Sequence, residues 1–136
     1  MNEATIQTQS VVIERDLAFP PDRIWRALTQ PHLIEEWLMK NNFSAEPGRT
    51  FTMSGDWGSV DCKVLLNEPG KTLSYTWVGM GIDTIVTWEL TPTENGTRLR
   101  MEQTGFAAGQ EQARNGAEYG WKRFLNNLEG ILATMG

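Results

Sequence analysis

Few side chains in this chain are suited to chemistry, and they are scattered. The one histidine, His32, follows Pro31 at the start of a predicted short helix, where a surface or capping role suits it better than that of a general base. The one cysteine, Cys62, alternates with Val60 and Val64 in a stretch of period two. That placement suits a small buried hydrophobe better than a thiol facing a ligand. A lone cysteine forms no internal disulfide, and a single histidine leaves a zinc site only carboxylates that the strand pattern places outside. We therefore expect no metal and no cofactor. No G-x-S-x-G pattern offers a nucleophile, and Gly79-Met80-Gly81 lacks the other elements of a phosphate-binding loop. No catalytic residue is assigned.

Large apolar side chains, in contrast, are plentiful: six Trp, six Met and five Phe in 136 residues. Read at strand and helix periods, Phe51, Met53, Cys62, Tyr75, Trp77, Trp88, Met101, Gln103, Trp121 and Phe124 point into one interior, together with Val64 and Val86. Trp37, Phe43 and Trp57 lie toward its nearer mouth. Such a set is either a close-packed core or the lining of a cavity. We expect the cavity, with Trp37 and the ten side chains from Phe51 to Phe124 named first above as ligand contacts, and Tyr75, Gln103 and Cys62 as its polar groups. Its guest would be apolar, held by surface burial at about 25 cal/mol per Å² and oriented by one or two hydrogen bonds.

The element that must position this lining is the last one, Glu111 to Met135. Plotted as a helix, Ala113, Ala117, Trp121, Phe124, Leu125, Leu128, Ile131, Leu132 and Met135 form one apolar stripe. At a rise of about 1.5 Å per residue it would run roughly 37 Å, too long to stand without a wide partner. Gly116, Gly120 and Gly130 interrupt it, each costing about 1 kcal/mol relative to alanine. Gly120 borders the stripe beside Ala113 and Ala117. Tight helix-to-strand packing is the reading we favour for it, and close approach of a bound molecule is the alternative.

The rest of the chain supplies a sheet. Thr5 to Phe19 reads as a first strand, with Ile13, Leu17 and Phe19 on one face and Arg15 expected to reach solvent at the strand end. Pro20-Pro21-Asp22 starts a helix with Ile24, Trp25 and Leu28 buried, and Pro31 starts a second with Leu33, Ile34, Trp37 and Leu38 inward. From Phe43 the period becomes two. Five runs follow, around Phe51-Met53, Val60-Leu66, Leu73-Trp77, Val86-Leu90 and Leu99-Gln103, separated by short Gly-, Asp-, Asn- and Pro-containing turns. Glu89 is placed to meet Arg98 or Arg100 across the last hairpin. The fold class is α+β: a six-stranded antiparallel sheet against a long C-terminal helix, in the order β-α-α-β-β-β-β-β-α, as a single domain over residues 1–136.

The totals bound the function classes. A formal charge of −5 argues against a nucleic-acid or anionic-membrane surface, each of which needs a concentrated basic patch. Met1 to Ser10 is polar, without the apolar segment of a secretory signal, and no run of 18 apolar residues occurs, so we expect a cytoplasmic protein. An uncovered edge strand could pair two copies into a homodimer.

Two motifs add a resemblance. Phe19-Pro20-Pro21-Asp22-Arg23-Ile24-Trp25-Arg26-Ala27-Leu28-Thr29 followed by Pro31-His32-Leu33-Ile34-Glu35-Glu36-Trp37 resembles the opening of the START-like (SRPBCC) superfamily, in the branch named after the activator of heat-shock-protein-90 ATPase. Gly96-Thr97-Arg98-Leu99, Gly105-Phe106 and Gly120-Trp121 match that branch in the same order. The resemblance implies the helix-grip fold, a curved sheet wrapped around the C-terminal helix with a cavity between them. Relatives bind lipids, polyketides, hormones or antibiotics there; a few are cyclases or hydratases, and others are co-chaperones. We expect binding of a small hydrophobic molecule that is aromatic, polyketide-like or lipid-like. A cyclase- or aromatase-type reaction using Tyr75 or Gln103, and a co-chaperone-like module contacting an ATPase, are the alternatives.

Overall fold

In a computed structural model, residues 9–135 are described, and the part of the first predicted strand before Gln9 lies outside them. The chain runs β1 (Gln9–Leu17), α1 (Pro21–Thr29), α2 (Pro31–Trp37), β2 (Lys40–Asn41), β3 (Thr50–Gly55), β4 (Gly58–Glu68), β5 (Thr72–Gly79), β6 (Ile82–Thr93), β7 (Gly96–Phe106) and α3 (Glu111–Thr134). The strands form one antiparallel sheet in the order β1-β7-β6-β5-β4-β3-β2. Consecutive strands from β2 to β7 are neighbours, and β1 closes the far edge against β7, pairing Val11 with Gln103 and Leu17 with Thr97.

The expected six strands are seven. The addition is β2, whose two residues pair with Ser54 and Met53 of β3. So short a segment carries no periodicity to read, and tertiary pairing alone makes it a strand. Elsewhere the alternation holds: Phe51 and Met53, Val60 to Val64, Val86 to Leu90 and Leu99 to Gln103 all put their alternate members inside. Leu66 does not. A bulge between Val64 and Leu66 shifts the pairing of β4 with β5. The inserted residue reverses the faces beyond it, so Leu65 and Leu66 both end up on the surface.

Helices α1 and α2 form a compact corner at the C-terminal half of α3. Ile24, Ala27, Leu28, Ile34 and Trp37 are buried there, whereas Trp25 is only partly covered. The Trp37 indole N–H donates to the Ala27 carbonyl at 2.8 Å, tying the second helix to the first.

The stripe on α3 buries Trp121, Leu125, Leu128 and Leu132 against the sheet. Arg15, expected in solvent, instead turns inward from β1 toward this helix. Its guanidinium meets Glu129 at 2.8 Å and Asn126 Oδ1 at 2.8 Å, and donates to the Lys122 carbonyl at 3.3 Å. A long cation can satisfy itself on the polar flank of a helix lying over its own strand, and no strand-only pattern shows that flank. On the outer face, Glu89 meets Arg100 at 3.5 Å, while Arg98 pairs with Asp16 at 2.9 Å. The Arg98 guanidinium holds the Asp16 carboxyl below its ordinary value of 3.8. Gly96, at the start of β7 in the last hairpin, packs so closely on the chain leaving β1 that a Cβ there would strike the Leu17 carbonyl oxygen.

Candidate functional site

The two ends of α3 are held differently. Its C-terminal half is gripped by α1, α2 and Arg15, and its N-terminal half is tied toward β1, where Arg114 Nε donates to the Ser10 carbonyl at 3.0 Å. On the side facing β4, β5 and β6, the first turns of that half, before Trp121, carry the small residues Ala113, Gly116, Ala117 and Gly120. Among the described residues nothing reaches across: a Cβ built at Gly116 or Gly120 would meet none of their atoms within 4 Å outside the helix itself. Tight packing therefore does not explain Gly120. The space left is a cleft of about 390 Å³.

Trp77, Trp121 and Phe124 stand at its inner end, with Val60, Gly79 and Ile82 along the strands. The tips of two hairpins form its outer rim. Trp57, in the turn between β3 and β4, is 45% exposed and folds back over Gly55, where a Cβ would lie 2.8 Å from its indole nitrogen. Met80, between β5 and β6, lays its sulfur across Gly58, where a Cβ would come within 2.8 Å. Beyond Trp57 and Phe124, a second and more polar hollow is bordered by Glu35, Lys40, Ser54 and Asp56. Among the described residues, no charged side chain borders the cleft itself.

Met80 occupies its place under strain. It is the first residue of the two-residue turn between paired Gly79 and Ile82, with φ of 54°, followed by Gly81 at 85°. This left-handed conformation suits asparagine or glycine and costs a side chain such as methionine about 1–2 kcal/mol. Strain of that size at an exposed tip points to a role for the side chain rather than to the fold. Met80→Asn is expected to raise Tm by a few degrees, which calorimetry checks.

Among the residues expected to contact a ligand, Trp77, Trp121 and Phe124 border this cleft. Trp37, Phe51, Met53, Cys62, Tyr75, Trp88, Met101 and Gln103 lie in the packed interior beside it, each no more than 2% exposed. They form a continuous aromatic core. Trp88 meets Trp37 at 5.7 Å and Trp121 at 5.6 Å, both nearly perpendicular, and Tyr75 meets Phe51 at 5.3 Å. The Trp88 indole donates to the Tyr75 hydroxyl at 2.9 Å. Burial raises the Tyr75 phenol above its ordinary value of 10.0. At neutral pH it is a hydrogen-bonding group and not a base.

The position of His32 is exposed, on the surface of α2. Burial, reinforced by the neighbouring Asp61 carboxylate, pushes the Cys62 thiol up to about 12. The folded state thus prefers the neutral thiol, and this preference is fully present below the ordinary value of 9.0 and lost as pH rises toward 12. Native protein at pH 8 is expected to resist alkylation by iodoacetamide that labels the urea-unfolded chain rapidly. Equal rates in the two states, followed by mass spectrometry, would refute the burial argument.

Val60, Gly79, Met80, Ile82 and Gly116 escaped the sequence reading as wall residues. The available signal was the small-residue spacing Ala113, Gly116, Ala117, Gly120 on a single helix face, which marks where the helix stands off from the sheet. Among the described residues no helix is long and apolar enough to cross a membrane, and no group of three His, Cys, Asp or Glu side chains is placed to hold a metal.

The family described as Activator of Hsp90 ATPase homolog 1-like protein matches residues 18–133. The chain belongs to this family. Among solved structures of similar shape, protein MLL2253 from Mesorhizobium loti is 50% identical, with 94% of this chain and 99% of that one covered and a TM-score of 0.91. DynU16, a putative protein in the dynemicin biosynthetic locus, is 25% identical over 92% of this chain and 47% of its own length, with a TM-score of 0.83. CalU16 from Micromonospora echinospora is 26% identical over 92% of this chain and 76% of its own, with a TM-score of 0.80. No curated protein matches the chain. In this Hsp90-activator-like family the opening motif builds the α1–α2 corner, and Gly120-Trp121 falls on the helix wall of the cleft. Membership accounts for the grip of sheet on helix.

Proposed function

We propose that this protein binds a neutral, largely aromatic small molecule in the cleft between the N-terminal half of α3 and the β3–β4 and β5–β6 hairpin tips. The observation that carries this reading is the pair Gly116 and Gly120, which face open space instead of a packed neighbour. A helix tolerates about 1 kcal/mol of lost propensity at each position, and here the return is a cleft whose volume suits a small ligand. Trp57 and Phe124 offer accessible apolar rings with the largely buried Trp77 and Trp121 behind them, and among the described residues a charged guest would find no opposite charge on the walls to offset its dehydration.

The likeness to DynU16, a putative protein in the dynemicin biosynthetic locus, supports a small biosynthetic molecule as guest. A reaction within the cleft gains no support from Tyr75 or Gln103, which lie in the packed interior. The test is a titration with N-phenyl-1-naphthylamine, a neutral fluorescent aromatic. Saturable uptake with energy transfer from tryptophan, reduced at least tenfold in Phe124→Asp, is the expected result. Saturable uptake unaffected by Phe124→Asp would place the binding elsewhere, and no uptake by this or other neutral aromatics would end the reading.

A further inference from the structure

Two buried polar side chains behind the cleft, Gln103 and Thr84, are each only 1% exposed. Gln103 sits on β7, on the inward face it shares with the apolar Leu99 and Met101. Apolar residues would fill such positions without the cost of burying an amide and a hydroxyl. Their hydrogen bonds run in one direction only. An indole can only donate, so the Trp121 N–H, 2.7 Å from Gln103 Oε1, fixes the orientation of that amide. The amide nitrogen must then donate to Thr84 Oγ1 at 2.9 Å, and the Thr84 hydroxyl passes its own proton to the Trp77 carbonyl at 2.9 Å.

The chain of bonds therefore begins on one wall of the cleft and ends on the other. Trp121 belongs to α3 and Trp77 to β5, and their ring centroids stand 5.2 Å apart at 57°. Without the relay, Trp121 would keep its edge contacts with Trp88 and Phe124, but its ring plane would be set by packing alone.

We propose that Gln103 and Thr84 are positioning residues for the ligand: they touch nothing in the cleft and act by locking the Trp121 indole in the plane that a flat guest meets. This rests on the binding reading above. It makes the site pre-organised for rigid plates, because the wall loses no rotational freedom when the guest arrives.

The experiment compares Gln103→Leu, Thr84→Val and Thr84→Ser with the parent protein. N-phenyl-1-naphthylamine is the probe, and 19F NMR of 5-fluorotryptophan-labelled protein is read without any ligand, with the Trp121 line assigned from Trp121→Phe. Thr84→Val keeps the side-chain shape and removes the hydroxyl, whereas Thr84→Ser keeps the relay. Expected are a tenfold or greater loss of probe affinity in Gln103→Leu and Thr84→Val, a change within twofold in Thr84→Ser, and a broadened or split Trp121 line only in the first two. Folded Gln103→Leu and Thr84→Val proteins that bind within twofold of the parent and keep a single sharp line would overturn the assignment. If Gln103→Leu does not fold, the Thr84 pair decides. If the parent takes up no probe, the binding reading fails, and the unliganded Trp121 line still shows whether the relay locks the ring.

Discussion

Gly116→Leu together with Gly120→Leu is expected to abolish probe uptake while leaving the protein folded and more heat-resistant. The two effects have one cause. Both positions lie in the helix where an added Cβ meets no described atom within 4 Å, so the side chain starts into open space. Leucine is better than glycine in a helix by about 0.8 kcal/mol, so the pair should add roughly 1–2 kcal/mol, a rise in Tm of several degrees. The same side chains project into a cleft of about 390 Å³ and occupy the space a guest would use. Gly116→Ala with Gly120→Ala should give similar stabilisation with a smaller loss of affinity, because a methyl group narrows the cleft without filling it. Differential scanning calorimetry and the naphthylamine titration check the pair. A fall in Tm would mean that the helix stands closer to the strands than the geometry indicates, and unchanged uptake would remove this cleft as the site.

Trp88→Ala is expected to cost about 3–5 kcal/mol, the range for deleting a fully buried tryptophan. Trp88 is 0% exposed and joins Trp37 of the α1–α2 corner to Trp121 of α3, so its removal leaves a cavity where three elements meet. It also takes away the hydrogen bond to the Tyr75 hydroxyl, stranding a polar group in the core. Against a typical domain stability of about 5–15 kcal/mol, that is a large share. Trp88→Phe should cost less, since most of the volume stays, but the Tyr75 hydroxyl remains unpaired. Trp57→Ala, on an exposed hairpin tip, should change stability by less than about 1 kcal/mol. Urea midpoints at constant m-value check the series. A Trp88→Ala protein as stable as Trp57→Ala would mean that the aromatic core is not what joins sheet to helices.

Most of the architecture was legible in the residues because it rests on periodicity. The stripe on α3, the alternation of the long strands and the proline-started helices each report their buried face through local spacing. The departures have physical causes that spacing does not carry. Leu66 is exposed because a single inserted residue in β4 reverses the faces beyond it. Arg15 turns inward because Glu129 and Asn126, more than a hundred positions away in the chain, lie over it.

The site was half legible. The aromatic residues were recognised as one set facing one interior, but the pattern of a packed core and that of a cavity lining are the same pattern. Which of them touch open space depends on how far the helix axis stands from each strand. That distance follows from the contacts tilting α3 toward β1 and the α1–α2 corner, and so Trp77, Trp121 and Phe124 border the cleft while Trp88, Tyr75 and Gln103 do not. Sequence alone determined the order of the long strands and helices and most of their inward faces, because each is a local property of residue type and period. Tertiary structure alone decided that Gly116 and Gly120 face empty space and that Gln103 bonds to a tryptophan instead of a guest, because both depend on distances between elements far apart in the chain.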